Sequence, residues 1–178
     1  MKWVKKQKGF TIVELLIVIV VIAILAAITI VAYNGIQNRS ENAKSVAAVS
    51  SFVKALNMYK VDNGDFPSIN SCIGTATTYQ GFSGRCWAPE TSTWTVNSGL
   101  ATALAPYVTN IPEPSTKNIE TSTSQYRGAI YYPYASGDTR IYVNIVGTTI
   151  CPDISGLGAA YSGVDRAGGK SCYYRIQQ

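Results

Sequence analysis

Residues 8–17 read Lys-Gly-Phe-Thr-Ile-Val-Glu-Leu-Leu-Ile, and the order of residue types in this stretch governs the reading of the whole chain. A basic leader ends at Gly9, a long apolar run begins at Phe10, and one carboxylate, Glu14, stands inside its start. Leu15–Tyr33 contains only Thr29 as a markedly polar residue and is long enough to cross a bilayer core as a helix. A carboxylate within such a segment is costly and marks a functional position. An ordinary secretory signal peptide, cut near Ala23, Ala26 and Ala27, accounts for the apolar run. So does a plain single-span anchor. Neither requires Glu14. Lys2, Lys5, Lys6 and Lys8 precede the run and predict a cytoplasmic N-terminus, with the rest of the chain outside.

The combination of basic leader, Gly9, Phe10 and Glu14 resembles the class III leader of type IV pilins and the related pseudopilins. The resemblance implies cleavage after Gly9 and N-methylation of Phe10, both by a prepilin peptidase. It also implies a partner for Glu14, which lies one helical turn beyond Phe10. In a filament its carboxylate would meet the Phe10 amine of a neighbouring subunit, and two charges buried among apolar helices would be neutralised together. Leaving either alone is the expensive case. The competing reading is that Glu14 snorkels to the lipid headgroups.

The chain has 178 residues, enough for one modest domain beside a membrane segment. Its formal charge of +5 is a property of the leader. Four of the 15 Lys and Arg lie there, leaving 11 against 10 acids, near +1. Charge therefore reports topology rather than a nucleic-acid partner. The absence of histidine removes the commonest general base and transition-metal ligand. The four cysteines, Cys72, Cys86, Cys151 and Cys172, all follow the predicted span. An even set outside the membrane favours disulfides. Of three possible pairings, Cys72–Cys86 with Cys151–Cys172 is the favoured one, at about 3 kcal/mol per bridge. Zinc is the runner-up, although no Cys-x-x-Cys pair is present.

After Asn34-Gly35 the pattern turns amphipathic. Ile36, Ala43, Val46, Ala47, Val49, Phe52, Val53, Leu56 and Tyr59 recur at steps of three and four. Asp62-Asn63-Gly64 with Pro67 predicts the stop. One helix from Phe10 to Asp62 would measure roughly 75–80 Å. Gly35 is its weak interior point, costing about 1 kcal/mol relative to alanine. Ser68–Thr95 reads as a loop region carrying Cys72 and Cys86. A short helix starts at a Ser98 cap and ends near Pro106, Ile111–Pro114 forms an extended corner, and Ser115–Ser124 is polar and expected to be exposed. Tyr126–Tyr132 and Thr139–Val146 predict a hairpin turning at Ser136-Gly137-Asp138. Ile141, Val143 and Ile145 alternate with Tyr142, Asn144 and Val146, as for a sheet lying on a helix. Pro152–Lys170 reads as glycine-rich loop and Cys172–Ile176 as a last strand. The expected fold is α+β: a long N-terminal helix, half membrane-spanning and half amphipathic, with an antiparallel sheet packed on its outer half. Its parts are a removed leader (1–9), a membrane or filament-core segment (10–33), an amphipathic helical half (34–62) and an extracytoplasmic head (63–178).

Tyr59-x-x-Asp62-Asn63-Gly64-x-Phe66-Pro67 is similar to the helix exit of major pilins and major type II secretion pseudopilins. Leu104-x-Pro106-Tyr107-Val108, followed by Ile111-Pro112-x-Pro114 and paired strands, is similar to them too. Many type IV pilins carry a proline in the apolar half that is linked to helix melting on assembly. Here no proline precedes Pro67, so that property is not carried over. Major pseudopilins hold calcium in C-terminal loops. Asp138, Asp153 and Asp165 are available here, but scattered loop aspartates more often form turns. The two cysteine pairs look more like pilins.

No enzyme constellation is visible. Serine and cysteine lack their usual base, and Glu113 and Glu120 are not matched in a glycosidase-like motif. Asn38-Arg39-Ser40 fits a glycosylation acceptor but falls on the predicted helix, where chance is the better reading. Tyr131, Tyr132, Tyr134, Tyr173 and Tyr174 are read as sheet packing ahead of an exposed aromatic surface. Arg166, Lys170 and Arg175 form a candidate weak ligand patch for DNA, with a solvated loop favoured over it because a useful site needs a broader basic footprint. No cofactor or metal is expected. The resemblance implies a structural subunit of a type IV pilus, serving adhesion and twitching motility. The alternative is a pseudopilin of a type II secretion or DNA-uptake machine. Implied partners are copies of the chain or related pilins, prepilin peptidase, an inner-membrane platform with its ATPase, and membrane lipid before assembly.

Overall fold

The computed structural model describes residues 9–88, 94–117, 119–120, 124–134 and 138–176. The leader lysines and the Ser136-Gly137 turn therefore lie outside the described residues, as do the side chain of Glu120 and much of the segment before Ser124. Two compact units are distinguished, residues 1–37 and residues 38–178, and helix α1 (Ile12–Asn63) contributes to both.

In the first unit the helix runs through Gly35 without a break, and its large apolar side chains from Ile12 to Ile30, with Tyr33 and Ile36, are exposed. Nothing within the unit buries them. Each would contribute about 1.5–3 kcal/mol if removed from water, so this segment calls for apolar surroundings.

The second unit is built on the last turns of α1. Val49, Phe52, Val53 and Leu56 are fully buried. They pack on one face of a five-stranded antiparallel sheet ordered β1-β6-β7-β9-β8. The strands are β1 (Ser71–Ile73), β6 (Ala129–Pro133), β7 (Thr139–Val146), β8 (Ser162–Arg166) and β9 (Gly169–Arg175). Pairing of Tyr131 with Ile141, Val143 with Cys172, and Ile141 with Tyr174 puts these side chains on the helix-facing side. The ring of Phe52 meets Tyr131 edge-on at 5.6 Å. The buried tyrosines satisfy their hydroxyls, as they must. Tyr131 donates to the Pro67 carbonyl at 2.7 Å and Tyr174 to that of Pro152 at 2.5 Å. Asn63 ends the helix, and Gly64, at φ +85°, donates back to the Lys60 carbonyl at 2.8 Å.

A second sheet, ordered β3-β2-β5-β4, was not foreseen. It comprises β2 (Arg85–Ala88), β3 (Trp94–Thr95), β4 (Ile119–Glu120) and β5 (Gln125–Tyr126). Ser68–Thr95 is thus not a loop region: it holds β1, a 3-10 turn (Gln80–Phe82), β2 and β3. These strands are two to four residues long, too short to show a period. The hairpin of β6 and β7 forms, but Tyr126 belongs to the second sheet, because Gly128, at φ +58°, turns the chain between them. The alternation in β7 fails at its end. Asn144 and Val146 are buried as well, because Val146 packs with Ile119 and Tyr126 of the second sheet. Ser115 and Ile119 are buried, which corrects the expectation of an exposed polar segment. β8 occupies part of the expected Pro152–Lys170 loop, and the last strand starts earlier, at Gly169. Helix α2 (Ser98–Leu104) is capped by Asn97, whose Oδ1 accepts from the Gly99 N–H at 2.9 Å, rather than by Ser98.

The amphipathic stripe also needs correction near its start. Ile36 is 67% exposed, and Ala43 and Ala47 are exposed too. Polar residues dock that part of the helix instead. The Asn42 amide exchanges two hydrogen bonds with the backbone of Val146, both 2.9 Å, and the Ser45 hydroxyl accepts from the Ser115 N–H at 3.1 Å. Neither signal is visible to an apolar periodicity.

Disulfide bonds join Cys72 to Cys86 and Cys151 to Cys172. The first ties β1 of one sheet to β2 of the other, and the second ties the segment after β7 to the middle of β9. Phe52→Ala is expected to lower unfolding free energy by about 3–5 kcal/mol, through lost transfer and an unfilled cavity. Ile36→Ala is expected to change it by less than about 0.5 kcal/mol. Chemical denaturation of both variants in micelles checks the contrast. Removing the sheet-to-sheet bridge with Cys72→Ala/Cys86→Ala is expected to cost about 3 kcal/mol in the same assay.

Candidate functional site

The features singled out at the N-terminus converge on one helix start. Gly9, Phe10 and Thr11 precede α1, and Phe10 is 77% exposed. Thr11 and Glu14 form a reciprocal cap. The Glu14 N–H donates to Thr11 Oγ1 at 3.2 Å, while the Glu14 carboxylate accepts from the Thr11 N–H and hydroxyl, each at 2.8 Å. The carboxylate is therefore held at the helix start, where the dipole favours a negative charge. Sequence reasoning passed over Thr11. The signal was present as Thr-x-x-Glu at the head of an apolar run. Further along, Thr29 donates its hydroxyl to the Ala26 carbonyl at 3.0 Å. The polar group in the middle of the run is thereby satisfied within its own helix. By length and composition, α1 can cross a membrane.

The basic residues near the C-terminus are not gathered into one patch. Arg166 and Lys170 stand at one end of the β8–β9 pair and Arg175 at the other end of β9. Arg166 donates to Ser171 Oγ at 2.8 Å and covers the Tyr126 ring. Lys170 pairs with Asp165 at 3.1 Å. Arg175 reaches Asp138 at 3.3 Å and lies over Tyr161. Asp138 also binds Arg140, whose Nε donates to it at 2.8 Å. The Arg140 hydrogen bond, with the two nearby guanidinium charges, holds the Asp138 carboxyl below the usual aspartate range. Glu113 is held low as well, by hydrogen bonds from Thr75 and Thr78 at 2.7 and 2.9 Å. Asp138, Asp153 and Asp165 do not come together: among the described residues no group of three His, Cys, Asp or Glu could hold a metal ion. Asn38 of the glycosylation-like triplet accepts from Lys117 Nζ at 2.7 Å.

The five tyrosines divide by sheet face. Tyr131 and Tyr174 are buried toward the helix. Tyr132 and Tyr173 stand on the opposite face with Tyr142, and Tyr134, just beyond β6, joins Tyr132. Trp87 and Trp94 of the second sheet contact that group.

An exposed apolar helix with a capped carboxylate at its head, followed along the chain by disulfide-bonded antiparallel sheets, is a pilin-like α+β architecture. The comparisons agree. A family model described as the prokaryotic N-terminal methylation motif matches residues 4–30. The type II secretion system core protein G of Escherichia coli (strain K12) is 36% identical over 70 residues, which is 39% of this chain and 48% of that protein. A fimbrial protein of Neisseria meningitidis serogroup B is 35% identical over 71 residues, 40% of this chain and 42% of its own. The fimbrial protein EcpC of Eikenella corrodens is 40% identical over 75 residues, covering 42% and 49%. The chain thus spans less than half the length of these relatives. No solved structure gave a significant match. Over its N-terminal part the chain carries the prokaryotic N-terminal methylation motif and is similar both to type II secretion core protein G and to fimbrial proteins.

Because the folded-state affinity of Asp138 for protons is depressed, its contribution to stability is full above the unfolded aspartate pKa and disappears as pH falls through the folded value. The thermal midpoint is therefore expected to drop as the solution is taken below about pH 4. Asp138→Asn is expected to lower the midpoint at neutral pH and to flatten that drop without abolishing it, since Glu113 titrates in the same sense. Thermal scans of both proteins across the acid range check this.

Proposed function

We propose that the chain is a structural subunit of a type IV pilus filament, cut after Gly9, N-methylated at Phe10 and assembled through its apolar helix. The observation that carries this reading is the exposure of apolar side chains from Ile12 to Ile30 on a helix whose head bears Glu14. A lipid bilayer satisfies such a surface before assembly, and the helices of other subunits satisfy it afterwards. Residues 1–9 are the removed leader, residues 10–33 the membrane and filament-core segment, 34–62 the amphipathic half and 63–178 the extracytoplasmic head. The subunit waits in the cytoplasmic membrane with its N-terminus inside and ends in a surface filament. Its partners are copies of itself or related pilins, prepilin peptidase and the ATPase-driven platform, and its roles are adhesion and twitching motility. The Thr11 cap keeps the Glu14 carboxylate hydrogen-bonded until the Phe10 amine of a neighbour replaces that partnership.

A second reading is favoured by the likeness to type II secretion core protein G. The chain would then form a short pseudopilus of a secretion or DNA-uptake machine. Sheared cell-surface filaments analysed by mass spectrometry separate the two. The expected result is abundant peptide starting at N-methylated Phe10. The same processed peptide confined to the membrane fraction transfers the assignment to a pseudopilus. An intact leader, or a cut near Ala27, ends the filament reading. Glu14→Ala is expected to insert and be processed normally yet yield few or no filaments.

A further inference from the structure

On the face of the five-stranded sheet turned away from α1, aromatic rings surround an open cavity of about 210 Å³ lined by Trp87, Trp94, Ile130, Tyr132, Tyr134 and Tyr142. At about 30 Å³ per water this holds roughly seven waters, the scale of one sugar ring rather than of a drug-sized ligand. The rings are locked by one another. Trp94 and Tyr132 have centroids 4.9 Å apart, Tyr132 and Tyr134 are 4.3 Å apart edge-to-face, and Trp87 stacks near Trp94 at 6.0 Å. Among the described residues the cluster is not closed over, and Tyr134 is 41% exposed.

The lining is mixed in a particular way. The Tyr142 hydroxyl engages Tyr134 and Arg140, and burial pushes its pKa up to about 12, so it remains a neutral donor and acceptor. Arg140 lies over the Tyr134 ring at 4.3 Å and shares the Asp138 carboxylate with Arg175. The mouth therefore offers hydroxyls beside one carboxylate held between two arginines.

From this cleft we infer a binding site for a neutral pyranose with equatorial hydroxyls, presented on an oligosaccharide. Such a ring carries slightly positive axial C–H groups on its faces and hydroxyls around its edge. The faces match the negative faces of the Trp and Tyr rings. The edge matches the tyrosine hydroxyls and the Asp138–Arg140 pair beside Tyr134. A purely aliphatic ligand would leave those polar groups unpaired. A nucleic acid needs a broader basic footprint than Arg140 and Arg175, which share Asp138. A proline-rich strand needs a long groove, and the cavity is a single chamber. The site lies apart from the assembly helix, so it goes beyond the filament reading and holds equally for a surface pilus or a pseudopilus.

The test uses the full chain in micelles of a zwitterionic detergent that carries no sugar. Intrinsic tryptophan fluorescence is titrated with cellotriose, triacetylchitotriose, a proline-rich decapeptide and a thymidine oligonucleotide. A saturable change with at least one trisaccharide is expected. Tyr134→Ala, at the exposed mouth, is expected to weaken it about tenfold or more with an unchanged thermal midpoint, and Tyr132→Ala is expected to do the same or worse. Tyr33→Ala, on the apolar helix, is expected to leave it intact. Failure of both trisaccharides to saturate would overturn the assignment. So would a sugar response that survives Tyr134→Ala and Tyr132→Ala, or saturation by the peptide or oligonucleotide alone.

Discussion

The packing of Val49, Phe52, Val53 and Leu56 against Ala129, Tyr131, Ile141, Val143 and Cys172 is the contact on which residues 38–178 depend. A sheet residue points to one face or the other, so a shift of one position would turn every one of these side chains away from the helix. With that face used, the residues between them are committed to the other side: Ile130, Tyr132, Tyr142, Asn144 and Tyr173. Most of these are too large and apolar to be left wet. The second, smaller sheet supplies the cover through Trp87, Trp94 and Tyr126, and the Cys72–Cys86 bond holds it to the first. The aromatic cleft is what remains where that cover stops.

Two apolar surfaces in this chain meet different ends. The one on the last turns of α1 is consumed within the fold, at the cost of ordering a sheet around it. The one from Ile12 to Ile30 is left for other molecules. The residues that make each surface differ accordingly. The buried face mixes Phe52 with small Ala48 and Ala55, so that strands can approach. The exposed run is dense in Ile, Val and Leu all round, which suits lipid or a bundle of like helices. The polar atoms of the run, on Glu14 and Thr29, are hydrogen-bonded inside the helix, as a segment without water requires.

Much of the long helix was legible in advance, because its signals are local and repeated. The apolar length, the step-of-three-and-four pattern around Phe52, and the Asp62-Asn63-Gly64 stop each depend on residues within one or two turns. The hairpin of Thr139–Val146 with the preceding tyrosines was legible for the same reason. The second sheet was not. Its strands are two to four residues long, and they pair across distant parts of the chain, as Trp87 does with Tyr126. Ser115 misled, and Asn42 was passed over, for a related reason. A polar residue looks exposed until the backbone group that satisfies it is known.

The sequence by itself determined the helix, the N-terminal methylation motif and the sheet-forming character of the C-terminal third. These follow from the chemistry of neighbours along the chain. Only the tertiary structure decided which face of β7 is covered twice, that Cys72–Cys86 joins two sheets, that Arg166, Lys170 and Arg175 are dispersed, and that Trp87, Trp94, Tyr132 and Tyr134 share one cleft. Each of those facts is a meeting of residues far apart in sequence. Such meetings are selected by the sum of burial and hydrogen bonding over the whole head, which no local pattern encodes.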